Sequence, residues 1–151
     1  MSGSAQRTVH AHWHGGMRAV VEAGDFDIVS DEPLSAGGSD TGPTPTDLFL
    51  ASIASCFVLA LAWAARHADK ELPGLQVRVV GTYAGPRFSR IEIEVSSDAP
   101  GAVVDDLLPE AERVCYVTNS LRDPPELHVE RVVKSAPRPR KAPSADGWRS
   151  P

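Results

Sequence analysis

The chain has few cysteines, a single long apolar run and no excess of positive charge over the part that reads as folded. Only Cys56 and Cys115 carry thiols. That excludes a secreted disulfide scaffold and leaves each cysteine as either a buried small hydrophobe or a redox group in a reducing compartment. The N-terminal run MSGSAQRTVHAHWHGG lacks the apolar centre of a secretory signal, so a cytoplasmic protein is expected. The net charge is −5, from 20 acidic and 15 basic residues. Several of the basic ones crowd toward the C-terminus, and nothing marks the folded part as binding nucleic acid. With 151 residues and 42% hydrophobic content, one domain with one core is expected. Residues 1–134 are assigned to it, and residues 135–151, rich in proline and charge, to a disordered tail. In that tail Arg138, Arg140 and Lys141 form a basic patch that is either solvated or able to touch an acidic partner.

The one long apolar run extends from Leu48 to Ala65 without a charged residue. It lies at the lower edge of what spans a bilayer. Much of it is Ala and Ser, which insert weakly, and no second span follows. A helix buried on nearly all sides of a soluble protein is expected instead, with no membrane partner. Thr44 is placed as its N-cap, Pro45 in the first turn, and Asp47 three residues past the cap, a capping box with aspartate in the acidic position. Arg66, His67 and Lys70 stand where the helix dipole favours cations, and Pro73-Gly74 ends the segment.

Around this helix the pattern is mostly strand. Thr8 to Trp13 alternates, with Val9, Ala11 and Trp13 expected inward and His10 and His12 outward, followed on that side by His14. Three imidazoles could take zinc or copper, but no carboxylate or thiol stands beside them, so a solvated face is preferred. Met17 to Glu22 and Phe26 to Val29 read as further short strands. The loop SAGGSDTGPT, Ser35 to Thr44, precedes the helix without the Gly-Lys-Ser/Thr of a phosphate loop, and its small residues suit a close backbone approach to the helix. Leu75 to Tyr83 and Phe88 to Val95 form the best-marked hairpin, with a bulge or late strand start near Ser89-Arg90 and charged residues outward. Ala102 to Ser120 reads as helix, with a kink or a break expected at Pro109. Glu126 to Lys134 is expected to be a closing strand.

Each cysteine falls on the apolar face of a predicted helix. Buried singly, each is packing; if the helices cross, the sulfurs can come within disulfide reach, which needs Cα atoms within about 7 Å. Such a pair can run a peroxide-reducing cycle through a sulfenic acid. The run GGSDTGPTPTDLFLASIASC, followed about 60 residues later by AERVCYVTNSL, resembles the two-cysteine signature of the OsmC/Ohr family of hydroperoxide-reducing proteins. The resemblance extends over the HWHGGMRA segment and the PPELHVERV stretch, roughly residues 8 to 134. It implies an α+β fold in which two subunits interlock, long cysteine-bearing helices packed centrally between curved antiparallel sheets, with active sites at the dimer interface.

The resemblance further implies that Cys56 is the peroxidatic and Cys115 the resolving cysteine, that organic hydroperoxides are the substrates and a dithiol the reductant, and that no cofactor is needed. The family also holds its thiolate with an N-terminal arginine, oriented by a carboxylate near the start of the long helix. Arg18 is the candidate arginine, its alternative being a surface hairpin residue. A guanidinium beside a thiol favours the thiolate. For the carboxylate the sequence departs from the family: Thr46 follows the helix-opening proline and Asp47 comes next. At about 100° per residue Asp47 lies on the opposite helix face from Cys56, about 13.5 Å along the axis. It is either a cap or a partner reaching across from a second subunit. Tyr116 is a second departure, standing where proline tends to follow the resolving cysteine. The rival expectation is a non-catalytic dimer that binds an apolar small molecule at the interface, with both cysteines as packing.

Overall fold

The uncharged run forms one helix, α1, Pro45–His67. The structure, a computed structural model, describes residues 5–132; the expected tail and the end of the expected closing strand lie outside them. The start of α1 is the predicted capping box: the Thr44 hydroxyl accepts from Asp47 N at 3.1 Å, and the Asp47 carboxylate accepts from Thr44 N at 3.0 Å. Helix α1 ends before Pro73-Gly74, at His67, where Asp69 takes a left-handed φ of 52°.

Three strands precede α1: β1, His10–Trp13, β2, Ala19–Ala23, and β3, Phe26–Ser30, in an antiparallel meander. The β1–β2 turn uses Gly15 and Gly16, both at positive φ, where other residues are strained. After α1 come β4, Gln76–Tyr83, and β5, Phe88–Ser96, a two-stranded antiparallel sheet. Thr82 pairs with Arg90 and Tyr83 with Phe88, which leaves Ser89 unpaired. This is the bulge expected at that point. Two further helices follow, α2, Gly101–Val114, and α3, Tyr116–Arg122. The fold is mixed α+β, as expected.

One face of α1 packs against β4, α2 and α3. The stripe Phe57, Ala60, Leu61, Ala64 and Ala65 meets Leu107, Ala111 and Cys115, with Val77, Ile93 and Val95 of the hairpin partly buried beside them, and Ile53 is also buried on α1. Fully burying a Leu or Ile contributes about 1.5–3 kcal/mol, so Ile53 and Leu61, both at 0% exposure, are the main anchors. The opposite face of α1 is open in the single chain: Leu59 is 68% and Trp63 40% exposed. A helix buried on nearly all sides is therefore not what one chain builds by itself. Length and a mean hydropathy of 2.2 would allow α1 to cross a membrane. Within the chain its covered face is instead the centre of a helix and sheet core.

Three more expectations are corrected. First, Val9 and Trp13 are not inward: they are 64% and 77% exposed, because α1 packs against the second sheet and, among the described residues, no helix packs substantially on the first sheet. Second, the helix does not break at Pro109, the second of the two alternatives expected there: α2 runs through the proline and ends six residues later at Cys115, whose φ −75° and ψ 102° are extended. Proline's fixed φ suits a helix. Its cost is the donor missing opposite the Asp105 carbonyl, and both Asp105 and Pro109 lie at the surface, where water can bond that oxygen. Third, residues 126–132 form no strand, and Leu127 and Val129 are 89% and 91% exposed. A lone strand cannot satisfy its own backbone groups, and among the described residues neither sheet pairs with this segment.

Two substitutions test this arrangement by urea unfolding. Leu61→Ala is expected to cost about 2–5 kcal/mol through the cavity it leaves, and Thr44→Ala about 1 kcal/mol through the lost cap. A Leu61→Ala cost no larger than that of Thr44→Ala would contradict the packing of α1.

Candidate active site

The break between α2 and α3 brings Cys115 to Cys56. Cys115 closes α2 and caps α3, at 0% exposure; Cys56 is half-buried in the middle of α1, and both are free thiols. Their side chains interact, and the N–H groups of Val117 and Tyr116 at the start of α3 face the Cys56 sulfur. Thr118, 5% exposed, sits beside the pair. Its hydroxyl donates to the Cys115 carbonyl at 3.3 Å and reaches the Cys115 sulfur.

The two thiols are not equivalent. Burial pushes the Cys56 thiol up, the Val117 and Tyr116 N–H groups pull against it, and the adjacent Cys115 adds to the rise. Burial also works against a Cys115 thiolate, but the Thr118 hydroxyl and N–H, the Cys56 thiol and the Val117 N–H together outweigh it and bring Cys115 down. Within one chain the surroundings thus work in opposite directions on the two thiols. Their titrations belong to the pair.

Arg18 and Asp47 lie elsewhere. Arg18 follows the β1–β2 turn, and its Nε donates to the Thr41 hydroxyl at 3.2 Å. Thr41 Oγ1 donates in turn to Asp31 Oδ2 at 2.7 Å. Asp31, 1% exposed, also accepts from the N–H groups of Glu32, Ser39 and Thr41, and so ties the loop before α1 into a knot. Gly42 lets this loop lie against β3: a Cβ there would stand 2.7 Å from the Val29 carbonyl oxygen. The close approach expected of the loop is thus to a strand, not to the helix. Among the described residues no hydrogen bond or ion pair joins Arg18 to either cysteine. Asp47 is engaged as the cap of α1.

The histidines stay on the surface. His12 faces Glu22 across β1–β2 at 3.8 Å, and His14 lies beyond the strand end. Among the described residues no three metal-binding side chains come together. The residues that the sequence did not flag are Thr118 and Asp31. Thr118 follows Cys115 by three positions and would have stood out had the helix break been placed at Cys115. Asp31 sits at a strand end before a glycine-rich loop, where such carboxylates gather loop N–H groups.

A family model for OsmC-like protein matches residues 37–130, and the chain belongs to that family. No curated protein matches the sequence. Solved structures with the same fold include an OsmC-like protein from Mycoplasma pneumoniae, 16% identical, with a TM-score of 0.66 over 80% of this chain and 89% of that one. An organic hydroperoxide resistance protein OsmC from Legionella pneumophila is 22% identical, with a TM-score of 0.58 over 80% and 92%. A candidate organic hydroperoxide resistance protein from Vibrio cholerae, with captopril bound in one of its active sites, is 25% identical, with a TM-score of 0.58 over 82% and 89%.

The Asp31 knot carries a pH signature. The Thr41 hydroxyl, with the loop N–H groups behind it, holds the Asp31 carboxyl below its ordinary value against the opposing effect of burial. The unfolded chain therefore binds this proton more readily. The resulting stability is complete above the unfolded value of about 3.9 and is lost as pH falls through the lower folded value. Urea midpoints measured from about pH 5 to pH 2 should fall more steeply for wild type than for Asp31→Asn; parallel curves would rule the knot out as an acid-labile element.

Proposed function

We propose that the protein is a homodimeric thiol peroxidase that reduces organic hydroperoxides without a cofactor, in the cytoplasm, where both thiols are kept reduced. The observation that carries this reading is the meeting of the chain's two cysteines, Cys56 half-buried and Cys115 fully buried, at the break before α3. In the proposed cycle the Cys56 thiolate attacks the distal peroxide oxygen. The O–O bond breaks, the alkoxide leaves as an alcohol after taking a proton, and Cys56 becomes a sulfenic acid. The Cys115 thiol then condenses with it, releasing water and forming a disulfide, which a dithiol of the lipoyl type or another thiol reduces.

A second subunit would complete what one chain leaves open. The bare face of α1 at Leu59 and Trp63, the uncovered Trp13 and the unpaired segment around Leu127 and Val129 are all apolar and exposed. An interlocked dimer would cover them. It would also let Arg18 of the partner subunit approach Cys56, with Asp47 as its carboxylate if that residue serves beyond its cap. A guanidinium there would reverse the upward push that burial gives the Cys56 thiol.

The rise at Cys56 within one chain favours a second reading, a dimer that binds an apolar small molecule and uses its cysteines as packing. Alkylation of Cys56 in Cys115→Ser against pH separates the two. A midpoint well below the free-thiol value of about 8.5 is expected for the peroxidase, and a midpoint at or above it for the binder. With dithiothreitol or dihydrolipoamide present, Cys56→Ser should lose consumption of cumene hydroperoxide. Without reductant, Cys115→Ser should complete one turnover and stop at the sulfenic acid, trapped by dimedone and read by mass spectrometry. Wild-type consumption no faster than that of Cys56→Ser would falsify the enzyme reading.

A further inference from the structure

Thr118 has no task in the cycle above, yet its side chain is held in the core at 5% exposure, three residues after Cys115. The backbone of Cys115 is tied on both sides: its N–H donates to the Ala111 carbonyl at 3.0 Å, and its carbonyl accepts from Asn119 N at 3.1 Å. The Asn119 side-chain amide also donates to the Arg113 carbonyl at 3.0 Å, which staples the break between α2 and α3. The Cys115 sulfur therefore projects from a fixed backbone, fully buried, with Cys56 packed against the same core.

The Thr118 hydroxyl carries one proton and has two acceptors within reach. Its bond to the Cys115 carbonyl is long, 3.3 Å, and goes to an oxygen that Asn119 N already serves. The other acceptor is the Cys115 sulfur. A hydroxyl proton turns about its C–O bond to suit its surroundings, and a charged acceptor makes the stronger bond. When Cys115 ionises, the proton therefore turns from the carbonyl to the sulfur, and the carbonyl keeps its bond from Asn119. Water cannot take over this duty at a sulfur that is 0% exposed. Burial pushes the Cys115 thiol up, and the Thr118 hydroxyl is the largest of the groups that bring it down.

We propose that Thr118 is the positioning residue of the resolving step, its hydroxyl donating to the Cys115 sulfur while that sulfur attacks the Cys56 sulfenic acid. The S–S bond forms as the S–O bond breaks, and the departing hydroxide takes the proton that Cys115 gave up and leaves as water. Thr118 keeps its own proton throughout. The inference deepens the peroxidase reading and rests on it for the sulfenic acid, which the organic hydroperoxide supplies. The attack itself needs only an electrophilic sulfur on Cys56, so it can be followed without peroxide. Loss of the hydroxyl moves the ionisation of Cys115 upward. Each pH unit of that shift cuts the thiolate about tenfold at neutral pH, the more basic sulfur regains about threefold in reactivity, and a loss of about threefold remains.

The reduced full-length protein, mixed with dithiobis(nitrobenzoate), reads this attack in two colour releases. Cys56, the half-buried thiol, takes the reagent and frees one nitrothiobenzoate; the buried Cys115 then attacks the mixed disulfide at Cys56 and frees the second. Thr118→Val keeps the shape of the side chain and deletes the donor. It is expected to slow the second release relative to the first by about threefold at about pH 7, with the difference lost by about pH 10, where Cys115 is ionised with or without the hydroxyl. Thr118→Ser should restore the wild-type ratio, and Thr118→Ala repeats the deletion if the valine variant does not fold. A second release that is unchanged without the hydroxyl, slowed alike at both pH values, or not restored by serine would overturn the proposal, as would a wild type that frees only one equivalent. A protein that shows the pH-dependent ratio but consumes no hydroperoxide refutes only the peroxidase reading, and one that consumes hydroperoxide with an unmoved ratio refutes only the role of Thr118.

Discussion

The burial of α1 is the constraint on which the rest depends. A helix whose residues from Leu48 to Ala65 carry no charge exposes apolar surface on every side, and water penalises each uncovered part. The chain covers one face with the β4–β5 sheet, α2 and α3. To do so it turns sharply at Cys115, since a straight continuation of α2 would carry Cys115 and Thr118 along the axis instead of folding them down onto α1. The cysteine pair is thus a by-product of closing the core as much as a chemical device. Both sulfurs are desolvated for the same reason that Leu61 is.

That origin explains the electrostatics of the site. Apolar closure raises the cost of any charge, so a thiolate there must be supported by dipoles or by a cation. The α3 backbone and Thr118 supply the dipoles, and they favour Cys115 over Cys56. Among the described residues no cation acts on the pair. Arg18 and Asp47, the charged residues expected beside the thiols, are occupied by a loop knot and a helix cap.

Much of the fold was legible because local signals and burial agreed. The capping box at Thr44 and Asp47, the length of α1 and the bulge at Ser89 follow from residue chemistry within a few positions. The family, too, was readable from the two cysteine segments. The failures share a cause. Val9, Trp13, Leu127 and Val129 alternate as buried strand residues do, yet nothing among the described residues buries them, and alternation cannot say which surface will cover a face. The break at Cys115 was missed because Pro109 is the stronger local signal, while the turn is set by the need to dock α3 on α1. The meeting of the two cysteines was conditional on the helices crossing until the family resemblance implied it. The separation of Arg18 and Asp47 from them could not be inferred, because their bonding depends on the loop around Asp31 and on Thr44.

The Asp31 knot has a consequence for association. Among the described residues no helix packs substantially on the first sheet, and that loop ties its end down: Asp31 N donates to the Pro43 carbonyl at 3.2 Å and Ser30 Oγ to the same oxygen. Such an elbow fixes where Arg18 and the apolar side of β1 point before anything meets them. A loosely tethered sheet would have to be ordered at the moment of contact, and that entropy would weaken the contact. Here the ordering is completed during folding, so the arm would meet any second surface already aimed.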